Sequence, residues 1–164
     1  MNWYLLVRFL HIASAIIFIG GILARQLVRS VAKRSTDVQS FAALNQAAGR
    51  IESRMVIPGN MAVIVFGVIL AVIIGAPIFG FLQGASQDWL LVTNILLILE
   101  IPLVTLVFVP RGKKFELVLQ DALAQGQMTP QLYAELEDRT VRMAHISEIA
   151  MVMIIVLLMV FKPF

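Results

Sequence analysis

Long apolar runs alternate along this chain with short charged segments. Four of the runs approach the roughly 20 residues needed to cross a hydrocarbon core: Trp3 to Ala24, Met55 to Ile74, Trp89 to Val109 and Met143 to Phe161. The segments between them carry a weaker, helical pattern. From Thr36 to Arg54, apolar Val38, Phe41, Ala42, Leu44 and Ile51 recur at helical intervals among polar neighbours. Gly112 to Ala124 repeats this with Phe115, Leu119 and Leu123, and Gly126 reads as a helix stop. Thr129 followed by Pro130 has the form of an N-cap with proline in the first turn, opening a helix that is expected to run unbroken into the fourth span. Pro58-Gly59 reads as the first turn of the second span, and Pro102 is expected to kink the third just beyond Glu100. The resulting architecture is all-α: a four-transmembrane-helix bundle with short cytoplasmic helical connections, forming a single integral membrane domain over residues 1–164.

Composition agrees with this pattern and removes several chemistries. Of 164 residues, 60% are hydrophobic and 14% charged, about half the charged share of a soluble domain. The chain has no cysteine, which excludes disulfides, thiolate catalysis and cysteine-held zinc or iron–sulfur sites. The net charge of +3 does not indicate nucleic acid, because the basic residues flank apolar spans and no basic patch interleaves with aromatics. Ala13-Ser14-Ala15 has small residues like those of a signal-peptidase site, but the apolar run continues past it, so the first span is expected to be a retained anchor.

Charge placement also orients the spans. Arg25, Arg29, Lys33, Arg34, Arg50 and Arg54 lie between the first two spans, and Arg111, Lys113, Lys114, Arg139 and Arg142 between the last two; Ala76 to Asp88 has no Lys or Arg. The positive-inside rule then puts the first and third connections in the cytoplasm and both termini outside. Trp3, Tyr4, Trp89 and Phe161 fall at the outer interface, where amphipathic rings are favoured. Gly67, Ala71 and Gly75, and likewise Gly20 and Ala24, recur every fourth residue, a spacing that allows close helix approach within the protein or in a homo-oligomer.

The polar residues inside the spans are the candidates for function, because an ionisable group in hydrocarbon is costly. At 1.5 Å per residue, His11 lies roughly 12 Å below Trp3 and Glu100 roughly 16 Å below Trp89, both near mid-membrane. Tyr4, Arg8, His11, Ala15 and Phe18 form one helical stripe, while Thr93, Glu100, Val104 and Arg111 share a face of the third span. Equal depth suggests a buried polar network of Arg8, His11 and Glu100. The alternative is a neutral Glu100 bonded to backbone or Ser14, with Arg8 extended to the interface. A second polar cluster, Asn60, His145 and Glu148, lies nearer the cytoplasmic face, with His145 and Glu148 at i and i+3. The two histidines do not suit one bis-histidine haem, since their depths differ by about 14 Å. Ligation by His11 alone or with a methionine is compatible with the sequence. No catalytic motif is evident, and no metal site beyond such a haem iron.

The first span, from Trp3 through Phe9-Leu10-His11-Ile12 to Gly20-Gly21, resembles the opening helix of CopD-like membrane proteins and HemJ-type protoporphyrinogen oxidases. The whole layout resembles small uncharacterised bacterial four-helix integral membrane proteins. The resemblance implies a cytochrome b-like bundle in which His11 is a ligand of haem b or part of a metal or quinone pocket. Three kinds of function follow as expectations: a haem-binding or electron-transfer accessory subunit using His11, a structural or assembly subunit of a membrane complex, and a proton-coupled small-solute transporter using Glu100 and His11.

Overall fold

The computed structural model describes residues 2–163, and every regular element among them is helical. Seven α-helices follow one another: α1 (Trp3–Ala32), α2 (Val38–Ile51), α3 (Ile57–Ile73), α4 (Trp89–Pro102), α5 (Val109–Gln125), α6 (Pro130–Leu136) and α7 (Arg139–Phe161). Four stretches are long and apolar enough to cross a membrane: Trp3–Ala32, Val38–Ile73, Trp89–Gln125 and Pro130–Phe161. The chain is therefore an integral membrane protein with four candidate spans.

Two of these stretches absorb a proline without ending. Proline lacks an amide hydrogen and its ring crowds the carbonyl four residues back. Before Pro58 the backbone opens into a π-helical turn at Glu52–Val56, and before Pro110 into another at Leu103–Phe108. Each wide turn contains the crowded carbonyl, that of Arg54 or Leu106, so the helix axis continues past the proline. The second span thus does not begin afresh at Pro58. Pro102 lies in the last turn of α4, immediately before the second wide turn.

Local signals define several helix ends. The Thr129 hydroxyl accepts from Leu132 N–H, and Gly126 closes α5 at φ 69°. Gly75 ends α3 at φ 65°, with Ala76 N–H bonded to the Ala71 carbonyl. This is the left-handed glycine cap that satisfies the last carbonyls of a helix, so Gly75 serves chain reversal and not helix packing. The expected unbroken helix from Thr129 is interrupted at Glu137-Asp138. Asp138 accepts from Thr140 and Val141 N–H and restarts the chain as α7.

Contacts divide the chain into two compact units, residues up to Arg34 with Phe41–Ala76, and Ser35–Ser40 with the residues from Pro77 onward. In the first unit α1 runs antiparallel to α3. A β-carbon at Gly59 would lie 3.0 Å from the backbone of Phe18, and one at Gly21 would lie 3.0 Å from the side chains of Met55 and Val56. Gly21 and Gly59 are therefore the close-contact glycines, while Gly20 faces open space. The opposite face of α1 exposes Leu5, Phe9, Ile12, Ile16, Leu23 and Leu27, whereas Ser14 and Arg25 are buried. That inverted pattern suits lipid as the solvent, because apolar side chains lose nothing by facing it and polar groups must be satisfied inside.

In the second unit α7 packs along α4 and the wide turn that follows it. The connection Ala76–Asp88 is pinned by side chains: Asp88 accepts from Phe81 N–H at 2.7 Å, and Asn94 donates to the Ile78 carbonyl at 3.1 Å. Lys162 Nζ lies 5.1 Å from the centre of the Trp89 ring, which puts the end of α7 level with the start of α4. At the far end Arg111 pairs with Asp138, and Lys114 with Glu135.

Candidate functional site

Each unit encloses its own polar groups, arranged along its own helix pair. On the stripe of α1 that begins with Tyr4, Arg8 is exposed and its Nη1 donates to the Tyr4 hydroxyl at 3.4 Å. One turn further, His11 Nδ1 lies 3.0 Å from the carbonyl of Val63 on α3. A carbonyl only accepts, so Nδ1 carries the hydrogen; in the neutral ring Nε2 then keeps its lone pair. The ring edge rests on Gly67, where a β-carbon would come within 3.1 Å of Cε1. Among the described residues Nε2 has no hydrogen-bond partner. An imidazole held in this way, with Nδ1–H on a carbonyl and Nε2 open, is arranged as metal-ligating histidines are.

The same seam continues toward the charged end. Phe18 meets Gly59, Gly21 meets Met55 and Val56, and Arg25 pairs with Glu52 of the first wide turn. The Arg25 side chain is 3% exposed. By sequence Arg25 reads as a loop charge, because hydropathy falls after Ala24; the helix in fact runs to Ala32 and carries Arg25 inside. Its spacing of four from Gly21 is the signal that was available for placing it on the packed face.

Glu100, His145 and Glu148 belong to the second unit, and Asn60, half-buried on α3 beside Gly59, belongs to the first. His145 Nδ1 and Glu148 Oε2 are 3.2 Å apart across one turn of α7. Phe108, from the second wide turn, stacks on His145 with ring centres 4.6 Å apart and planes at 27°. Glu100 on α4 is within electrostatic range of the Glu148 carboxylate. Its Oε1 is enclosed with no hydrogen-bond partner. Within this unit, then, Glu100 and the polar group on α7 lie on two helices that pack together. Among the described residues no three His, Asp or Glu side chains converge closely enough to hold a metal ion.

Spans with apolar outer faces, and ionisable side chains turned onto helix seams, define a polytopic α-helical membrane protein. Residues 5–163 match the family described as predicted integral membrane protein (DUF2269), and the chain belongs to that family. No curated protein and no solved structure matches it.

Proposed function

We propose that this protein is a haem-binding accessory of membrane electron transfer, in which His11 would hold the haem iron through Nε2. The observation that carries the reading is the Nδ1–H bond to the Val63 carbonyl, which fixes the tautomer and directs the ring. A bound haem would supply a reversible one-electron change at iron. The chain's own contribution is to orient the imidazole, to strengthen it as a donor through the Val63 carbonyl on Nδ1–H, and to keep water away with the apolar faces of α1 and α3. We further place the termini and residues 76–88 on the non-cytoplasmic side, as the distribution of Lys and Arg indicates.

Protein purified from haem-replete cells is expected to show a Soret band, and His11→Ala to lose it while remaining folded by circular dichroism. A colourless wild-type preparation, or an unchanged band in folded His11→Ala, overturns the proposal.

A further inference from the structure

The second unit carries a series of ionisable groups that the His11 reading does not use. The contact between Lys162 and Trp89 allows depths on α4 and α7 to be measured from one level. At 1.5 Å per residue, Glu100 lies about 16 Å from that end, Glu148 about 21 Å and His145 about 26 Å. Arg111 and its partner Asp138 lie roughly 33 Å from it, just beyond a hydrocarbon core of about 30 Å. The groups thus descend in order from the middle of the membrane to one aqueous boundary.

Their contacts follow the same order. Asp138 is bound to Arg111 at the boundary; His145 is hydrogen-bonded to Glu148 and stacked on Phe108; Glu148 lies within electrostatic range of Glu100. The series ends at Glu100, whose enclosed Oε1 has no hydrogen-bond partner. Besides α7, the segments most closely packed against α4 are the wide turn Leu103–Phe108 and the short turn Gly80–Gln83, and neither has a titratable side chain. A polar oxygen enclosed in this way without a partner is costly in hydrocarbon.

We propose that Glu100, Glu148 and His145 form a proton half-path, in which Glu100 holds a proton at mid-membrane and exchanges it with the boundary at Arg111 and Asp138. His145 takes a proton on Nε2 from water that enters from that boundary, about 8 Å away along the helices. The proton crosses the 3.2 Å contact from Nδ1 to Glu148 Oε2, and Glu148 passes it on to the Glu100 carboxylate. No electron moves, and each donor regains its proton from the boundary side. Phe108 covers one face of the His145 ring and so restricts its approach to water.

The test is infrared spectroscopy of the full chain in lipid nanodiscs, titrated from acid to mildly alkaline pH and exchanged into deuterium oxide. Wild type is expected to show a protonated-carboxyl band at neutral pH that is absent in Glu100→Gln. Glu148→Gln and His145→Phe should each keep the band but slow its deuterium shift. Should Glu100→Gln not fold, Glu100→Asp replaces it, with a displaced band expected. Coincident spectra of wild type and the folded Glu100 variant overturn the proposal, as does a deuterium shift that neither Glu148→Gln nor His145→Phe alters. None of these readings requires haem, and His11→Ala should leave them unchanged, so this proposal and the His11 proposal fail separately.

Discussion

At the scale of single residues, Gly67 decides how His11 is held. The imidazole edge occupies the space that a side chain at position 67 would fill, 3.1 Å from the nearest ring atom. A β-carbon alone requires the ring to give by a few tenths of an ångström; a leucine displaces it and breaks the bond to the Val63 carbonyl. Gly67→Leu is therefore expected to lose the Nδ1–H tautomer, read from the nitrogen shifts of isotope-labelled histidine in lipid, while Gly67→Ala keeps it. An unchanged His11 signal in Gly67→Leu would show that the ring has another support. The stripe from Tyr4 to Phe18 on which His11 lies was legible in the sequence, since four-and-three spacing needs only the helical period. The neighbours of Glu100 were not. Depth placed Glu100 near the level of His11, but depth is one coordinate, and it does not reveal that α7, which carries Glu148, is the helix packed along α4. Arg25 escaped notice for the opposite reason: hydropathy marks where apolar residues stop, and the helix does not stop there.

At the scale of elements, two glycines in the first unit act in opposite ways. Gly59 lies 3.0 Å from the Phe18 backbone, where nothing can rotate aside, while Gly20 meets nothing within 4 Å. Gly59→Leu must push α1 and α3 apart, and overpacking of this kind costs about 1–3 kcal/mol. Gly20→Leu should leave stability unchanged or raise it slightly, because a helical glycine is replaced by a better helix former. Reversible unfolding in mixed micelles, followed by circular dichroism, separates the two variants; equal effects would mean that the close approach of α1 and α3 contributes no stability. The four-residue spacing of small residues pointed to a packed face but selected Gly20, one position from the true contact at Gly21. Spacing gives a period, whereas the phase is set by what the facing helix offers, here Met55 and Val56 at the wide turn. The wide turns themselves leave no mark on hydropathy. Pro58 and Pro110 were their signal, legible as crowding but not as the means of relieving it. Helix ends, by contrast, depend on one or two residues each, and Gly126 and Thr129-Pro130 lie where local chemistry put them.

At the scale of the whole molecule, orientation in the bilayer is the property to which both proposed sites refer. The proposed proton half-path opens toward the boundary marked by Arg111 and Asp138, which is cytoplasmic in the proposed orientation. Some of the charges behind the rule are engaged in structure, since Arg25 pairs with Glu52, Arg111 with Asp138 and Lys114 with Glu135. Pairing does not cancel their weight, because acidic partners contribute little to the rule. The absence of cysteine makes the test direct: a single introduced thiol is the only one in the chain. Ser86 is exposed in the connection Ala76–Asp88, and Gln127 is exposed between α5 and α6. In intact spheroplasts a membrane-impermeant maleimide should label Ser86→Cys at once and Gln127→Cys only after permeabilisation. The reverse pattern would turn the molecule over, and the half-path from His145 to Glu100 would then draw its protons from outside the cell.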